Sequence, residues 1–472
     1  MLWHLQKCKK LRKKLEYWCN LQSNCLRMNE RMLIADLHDS VDAEITVKGF
    51  IDVRRDHGKL IFLDIRDRSG FVQAVVLPNH AEALAVAQTL KPESSVSVKA
   101  KVNKRPEKMI NAEQFNGDIE LELLEIEVLS LGGELPFEKD ADINLDTSLD
   151  NRPFTLRNTR NRAIFKVQHE ILQAYRSFLV GKGFTEFEAP KIVGDDAEGG
   201  GNIFRVEYFK DRWAYLATSP QLYKQILVGV FERVFSIGNV FRAELHSTSR
   251  HINEYTSLDV EMGFIKDHTD IMRLEEEFMR HLYIALEKNC KAELAIFKAE
   301  LPMLPEGNFP SMKLKEALTL IAKETGEDCV NEPDLAPEHE RWLSKYAKEQ
   351  FKSDYLFVTH YPVTKRPFYT YEDENDKGYT KSFDLLFRGV EVTTGGQRIH
   401  TYDELTEKMK AKNLVPENFS FYLQTFKSGM PPHGGWGMGL ERLTQKILGL
   451  ENVKEATLFP REINRIDTLL SE

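Results

Sequence analysis

Between Glu44 and Ser130 the chain alternates apolar and polar residues in five short runs, and no other feature narrows its fold so far. Glu44–Val53, Leu60–Arg66 and Phe71–Leu77 are separated by the turn signals Asp56-His57-Gly58 and Arg68-Ser69-Gly70. A helical stretch, His80–Leu90, comes next, and then Ser94–Val102 and Asp118–Leu129 resume the alternation. Val96, Val98, Ala100 and Val102 share one face of the fourth run; Ile119, Leu121 and Leu123 share one face of the fifth. Strands with a single apolar face must be covered or close on themselves. Five of them, with a helix between the third and fourth, predict a small closed barrel.

That order is the one expected of an OB-fold, a common oligonucleotide-binding module, and we assign it residues 31–131. The segment 132–152 holds Gly132-Gly133, Pro136, Asp140, Asp142, Asp146 and Asp150 with few apolar residues in phase, and reads as a hinge. Beyond it Ile164, Val167, Ile171, Tyr175 and Phe178 recur at helical spacing until Gly181-Lys182-Gly183 stops the helix. A strand, Phe184–Ala189, then runs into Pro190. The remainder of a second domain, 153–472, alternates strands with helices such as Asp270–Asn289 and Glu340–Phe351, so the chain as a whole is predicted α+β. Its 472 residues are too many for one ordinary core.

Residues 1–30 form a basic extension. Up to Arg31 they carry Lys7, Lys9, Lys10, Arg12, Lys13, Lys14 and Arg27 against Glu16 and Glu30, with Trp3, Leu5, Leu11, Leu15 and Trp18 interspersed. One reading is an amphipathic helix that adds electrostatic grip on RNA. The preferred one is a start-site artefact, with translation beginning at Met28 or Met32. The segment is poor in Ser and lacks the cleavage site of a transit peptide.

No apolar run approaches the roughly 20 residues that a membrane helix needs. Five cysteines without a CxxC pair or metal-ligand spacing point to free thiols in a reducing cytoplasm. A net charge of −9 argues against indiscriminate nucleic-acid binding but leaves room for a local basic face.

Two segments carry chemistry. In Val234–Phe264 the strands Val234–Glu244 and Tyr255–Phe264 flank a polar stretch, and the segment bears Arg242, Glu244, His246, Arg250 and His251. Arginine forks match phosphate oxygens; the competing reading is an Arg/Glu pair laced across a solvated hairpin. In His433–Arg442, HGGWGMGLER, Gly435, Gly437 and Gly439 let backbone approach a ligand closely, and Arg442 leaves the following helix toward the same phosphates. No GK[ST] follows, so this is not a P-loop, and the context is wrong for a dinucleotide-binding turn.

Together with the helix and strand that end at Pro190, these segments resemble the three signatures of class II aminoacyl-tRNA synthetases. The amino-terminal OB-fold makes the resemblance one to the aspartate, asparagine and lysine subclass, from about Arg31 to the end. It implies a catalytic domain built on an antiparallel sheet flanked by helices, ATP-dependent aminoacylation of tRNA, and a homodimer formed through the Pro190 segment. Tyr215–Gln225 and Ser382–His400 look like the versions found in aspartate enzymes. The resemblance implies that Lys224 and Arg398 bind the side-chain carboxylate of L-aspartate. It gives Asp259, Gln221 and Ser219 the ammonium and α-carboxylate, and Glu198, beside Gly199-Gly200-Gly201, a loop that closes over the amino acid.

By the same resemblance Arg242 and Arg442 are the catalytic cations, and Glu244, Arg250, His251, Glu391 and Gly439 complete the ATP site. Asp384, Glu391 and Thr394 would hold the Mg²⁺ that accompanies ATP. On the OB-fold, Phe62 and Gln73 match positions that meet anticodon bases, with Arg54 for phosphate; the competing reading of Phe62 is barrel core. Asn151-Arg152 would contact the acceptor arm. Physically, two cations are compensated by aspartate and under-neutralised by asparagine.

The partner is tRNA(Asp), and tRNA(Asn) is also in view. Archaeal relatives can carry a tryptophan where this chain aligns Asp52 and a lysine where it aligns Met109; here those two positions are Asp and Met. Two alternatives stand beside this reading. An asparaginyl enzyme is disfavoured by Lys224 and the GGQR run ending at Arg398, and a non-catalytic RNA-binding paralogue by the intact set of ATP residues.

Overall fold

The computed structural model describes residues 31–112, 114–139, 141–194 and 202–470. Glu198 and the basic extension lie outside the described residues. The chain divides into two compact units between Glu138 and Lys139.

In the first unit β1 (Glu44–Asp56), β2 (Ile61–Arg66), β3 (Phe71–Val76), β4 (Ser95–Lys104) and β5 (Ile119–Ser130) close in the order β1-β2-β3-β5-β4, and β4 pairs back onto β1. The helix Ala81–Thr89 follows β3. Closure leaves no open sheet edge, and alternate residues such as Val47, Leu63, Ala74, Val98 and Leu121 fill the interior with no solvent exposure.

A β-bulge between Ile51 and Val53 changes which residue of β1 stands opposite Phe62. Without the extra residue Arg54 would face it; with it, the cross-strand partner is Arg55. Arg54 is thus placed opposite Leu63 and donates to Asp56 at 3.2 Å, while Arg55 holds Asp64 through two bonds of 2.8 Å. Phe62 is half-buried and outside the apolar cluster, which overturns the barrel-core reading, and its ring meets His57 edge-on at 5.6 Å. Asp64 pairs with Gln73, whose Oε1 accepts from Arg105 at 2.7 Å. Arg55, Phe62 and Gln73 therefore share the outer face of the barrel.

The second unit contains β6 (Thr185–Glu186), β7 (Ile192–Val193), β8 (Arg205–Tyr208), β9 (Arg212–Leu216), β10 (Arg233–Phe241), β11 (Glu254–Gly263), β12 (Ser311–Lys313), β13 (Tyr355–Thr359), β14 (Ser382–Phe387), β15 (Val390–Arg398) and β16 (His433–Gly439). Eight of these form one sheet, β12-β13-β14-β15-β16-β11-β10-β6, antiparallel except at its two edge pairs. A small sheet, β7-β9-β8, stands apart. The expected strand Phe184–Ala189 shrinks to the two residues of β6; after Phe187 donates to the Phe235 carbonyl at 2.9 Å, the chain leaves the sheet toward Pro190.

Helices Thr159–Gly181 and His268–Asn289 pack one face of the large sheet. Ile164, Val167, Ile171 and Phe278 meet Leu258 and Val260 of β11 and Trp436 and Met438 of β16 there. Side chains alternate across a strand, so the same packing sends Asp259 and Glu261 to the opposite face, together with the Gly435, Gly437 and Gly439 positions. The candidate site lies on that face.

Two expectations about the hinge change. Leu145–Asp150 is helical, and its Asp146 and Asp150 both pair with Arg465, so the later part of 132–152 belongs to the second unit's packing. Arg152 is 3% exposed and donates to the carbonyls of Leu458, Glu455 and Thr457 at 2.9, 3.1 and 2.7 Å. A guanidinium committed to three carbonyls is a structural clamp, not a grip on an acceptor arm. Among the described residues no helix is long and apolar enough to cross a membrane, and Cys290 and Cys329 are buried free thiols.

Candidate active site

The sheet face left by that packing opens into a cavity of about 350 Å³. Lys224, Arg242, Arg250, Lys365, Arg366, Arg398 and Arg442 line it against Glu244, Asp259, Glu391 and Glu441. The excess of cations suits a polyanion, even though the chain as a whole is acidic.

At the floor, Lys224 emerges from the helix Gln221–Phe231 and is 1% exposed. Its Nζ donates to Asp259 Oδ1 at 3.0 Å and to the Trp436 carbonyl at 2.9 Å, and lies 3.4 Å from Glu261 Oε2. Arg398, at the end of β15, donates through Nε to Glu261 Oε1 at 3.0 Å and through Nη2 to the Gly435 carbonyl at 3.0 Å. Glu261 is fully buried between the two cations. Burial pushes its carboxyl upward, but Arg398 and Lys224 outweigh that and hold it below the usual carboxylate range. A side chain at Gly435 would collide with the Val260 carbonyl and the Glu261 carboxylate, so β16 can pass this point only as glycine.

The two expected cations are thus accompanied by two carboxylates. Sequence reasoning missed Glu261, although its spacing of two from Asp259 on one strand places both on one face. Asp259 also accepts from the Ser257 hydroxyl at 2.5 Å. Gln221 gives its amide to Gln225 at 3.0 Å, and its backbone N–H caps onto Ser219 Oγ at 3.2 Å.

The hairpin strand ends at Phe241, earlier than expected, so Arg242 and Glu244 belong to the connecting loop. Asn253, another residue that sequence reasoning missed, holds that loop. The Arg242 N–H donates to the Asn253 carbonyl at 2.9 Å, and Asn253 Nδ2 donates back to the carbonyls of Arg242 and Glu244 at 2.6 and 3.1 Å. The Arg242 guanidinium lies 5.7 Å from the centre of the Tyr255 ring. His251 sits 3.7 Å from Glu244; burial lowers its pKa, Glu244 opposes that, and Arg442 and Arg250 reinforce it.

Arg442, in the helix Leu440–Leu448 that follows Gly439, donates to the Glu391 carbonyl at 2.8 Å. Glu441 is the anchor of that turn: both its oxygens accept from the Thr256 N–H at 3.0 Å, and burial pushes its carboxyl up to about 7.

Of the acidic set, Glu391 and Thr394 line the cavity, and Thr394 Oγ1 donates to Glu391 Oε1 at 2.8 Å. Asp384 stands opposite Thr394 across β14 and β15, close enough to Glu391 for their charges to interact, but its side chain is not part of the cavity lining. It is bonded by Arg366 at 2.8 Å, and Arg366 stands on the cavity wall in its place, stacked 3.8 Å from the Tyr361 ring centre. Burial pushes Asp384 up to about 6, against the pull of Arg366. Lys365, Arg366, Tyr369 and Thr370 come from a loop that carries no periodicity, so no pattern along the chain points to them.

His433 closes the floor. Its Nδ1 donates to the Pro431 carbonyl at 2.9 Å, which leaves Nε2 to accept from Gln225 Nε2 at 2.8 Å. Burial pushes its pKa down to about 4 despite the nearby Glu261. A base depressed on folding contributes stability above its unfolded pKa near 6.5 and loses it as pH falls toward 4, in all about 3 kcal/mol. The urea midpoint is therefore expected to drop across that window, and His433→Asn should flatten the drop. Equal slopes for the two proteins would contradict it.

Three comparisons bear on this geometry. The family described as tRNA synthetases class II (D, K and N) matches residues 144–463, and the OB-fold nucleic acid binding domain family matches 45–129. The aspartate–tRNA(Asp/Asn) ligase of Thermus thermophilus is 46% identical over 440 residues, covering 92% of this chain and 99% of that one. The aspartate–tRNA(Asp) ligase of Pyrococcus abyssi is 37% identical over 428 residues, covering 90% and 96%. Among solved structures, asparaginyl-tRNA synthetase from Pyrococcus horikoshii complexed with asparaginyl-adenylate superposes with a TM-score of 0.83 at 30% identity, covering 93% of this chain and 99% of that chain.

Proposed function

Because the chain belongs to the class II tRNA synthetases of the aspartate, lysine and asparagine group, we propose that it is an aspartate–tRNA ligase. It activates L-aspartate with ATP and transfers it to the 3′ end of tRNA. The observation that carries the choice of amino acid is the buried Lys224–Glu261–Arg398 cluster beside Asp259. Once the substrate ammonium has taken the charge of Asp259, two cations face Glu261 alone. The surplus positive charge is matched by the side-chain carboxylate of aspartate and left buried and unmatched by the amide of asparagine.

In the first step an α-carboxylate oxygen attacks the α-phosphorus of ATP, forming the acyl phosphate bond while pyrophosphate leaves. Arg242 meets the charge that develops on the α-phosphate, and Arg442 with Arg250 meets the β- and γ-phosphates. The 3′-terminal ribose hydroxyl of tRNA then attacks the activated carbonyl and AMP departs. No side chain becomes a covalent nucleophile; positioning and preorganised charge carry the rate.

The hard oxygens of Glu391 and Thr394 suit Mg²⁺, with ATP phosphates and water completing its shell; Asp384 is engaged by Arg366. When bound there the ion would neutralise phosphate charge. ATP–pyrophosphate exchange tests the assignment directly: aspartate should support exchange and asparagine should not. Exchange with asparagine alone, or with neither amino acid, would overturn it.

On the barrel, Phe62 and Gln73 are the anticodon contacts we favour, with Arg55 opposite Phe62 as a further cation on the same face and Arg54 beside it for phosphate. Stacking on one aromatic is worth roughly 1–3 kcal/mol per base. Phe62→Ala should accordingly raise the KM for tRNA about tenfold or more and leave aspartate-dependent exchange unchanged. An unaltered KM would remove Phe62 from the interface.

Asp52 and Met109, standing where archaeal relatives can carry a tryptophan and a lysine, support charging of both tRNA(Asp) and tRNA(Asn). A transcript with the asparagine anticodon charged only at background rates would exclude the second. The terminal strand β6, beside the exposed Pro190, supports assembly as a two-fold dimer, to be tested by light scattering. The two buried free thiols suit a reducing cytoplasm.

A further inference from the structure

Arg250 is a long side chain on the loop between β10 and β11, where Leu245 is 72% exposed and residues 245–249 all face solvent. An arginine in such a place has many rotamers to lose, and binding ATP through it wastes affinity unless something fixes it first. The structure supplies an anchor from far away in the sequence. Glu340, in the first turn of the helix Pro337–Phe351, accepts from Arg250 Nη2 through the oxygen Oε2. The same oxygen accepts from the Glu391 N–H at 3.3 Å, and the Glu391 carbonyl in turn accepts from Arg442 Nη1 at 2.8 Å.

The Glu340 carboxylate thus joins the hairpin loop to β15, and the Glu391 carbonyl joins β15 to the Arg442 helix. Glu340 is 8% exposed and does not line the cavity, whereas Arg250, Glu391 and Arg442 all do. It lies in none of the three signature segments. We propose that Glu340 is a positioning residue for ATP, holding Arg250 and the Glu391 backbone in the geometry that receives the β- and γ-phosphates. This rests on the aspartate–tRNA ligase reading of the cavity.

Two features favour positioning over a merely structural pair. Arginine has five N–H donors, and the bond to Glu340 engages Nη2 alone, so the fork can be held and still present donors to phosphate. Arg250 and Arg442 also crowd Lys446, a like-charge cluster that Glu340 offsets from its buried side. The carboxylate keeps Arg250 near the cavity against that repulsion.

The experiment is steady-state ATP–pyrophosphate exchange on the full chain. Glu340→Gln, which keeps the shape and removes the charge, is expected to raise the KM for ATP about tenfold while the KM for aspartate stays within about twofold. Glu340→Asp should recover most of the loss. In an Arg250→Ala background Glu340→Gln should add little, since the group it positions is gone.

An unchanged KM for ATP, a parallel rise in both KM values, or full additivity with Arg250→Ala would each overturn the inference. Should Glu340→Gln melt before assay, Arg250→Lys, which cannot keep the fork, must show the same ATP-only defect; a wild-type KM for ATP in that variant overturns the inference as well. Failure of the underlying reading looks different: the unsubstituted protein would then show no aspartate-dependent exchange at all.

Discussion

Lys224→Met is expected to lower aspartate-dependent exchange by about three orders of magnitude and to lower the melting temperature as well. The effect on activity follows from the substrate: without Nζ, its side-chain carboxylate keeps Arg398 and loses the second cation. The effect on stability follows from what Lys224 already does in the free protein. Its ammonium touches Asp259, Glu261 and the Trp436 carbonyl, all within a site it shares with almost no solvent. Removing one member of a buried charge set costs about 3–5 kcal/mol, because its partners stay behind unpaired. Asp259 and Glu261 would be those partners. The double substitution Lys224→Met with Glu261→Gln should therefore regain part of the lost stability while activity stays low. Normal exchange in Lys224→Met would sink the pocket assignment, and wild-type thermal stability would sink the account of the cluster.

Arg242→Ala separates the two effects. Its guanidinium borders the cavity, and its backbone is fixed by Asn253 whatever the side chain is. The exchange rate is expected to fall by about 10²–10³, the size seen when one preorganised donor to a developing charge is removed, with the melting temperature within a degree or two of the parent. The loss should appear in kcat as much as in kcat/KM, since charge on the α-phosphate grows in the transition state. A change confined to the KM for ATP would mean that Arg242 only binds, and a large drop in melting temperature would mean that it chiefly packs.

How legible the molecule was in its sequence differs from place to place. The barrel strands were readable because each buries one face, and a period of two is visible without any neighbour. The β1 bulge broke that rule by a single residue, so that Arg55 and not Arg54 stands opposite Phe62. Lys224 and Arg398 were found through the segments that resemble a family, but their partner Glu261 was not, although it stands two residues from Asp259 on the same strand face. Asp384, Glu391 and Thr394 stay together because β14 and β15 pair, with Asp384 opposite Thr394. Arg366, from a separate loop, takes the Asp384 carboxylate and the place on the cavity wall.

Local order along the chain is enough for the elements and their apolar faces, the glycines at the crossing of β16, and the residue types able to hold phosphate and carboxylate, because these depend on neighbours a few residues apart. The balance of charge in the site comes from folding. Which cation meets which anion is a matter of distances between strands and helices tens to hundreds of residues apart: Arg398 with Glu261, Arg366 with Asp384, Arg250 with Glu340. Coulomb energy falls with separation in space and is blind to separation along the chain.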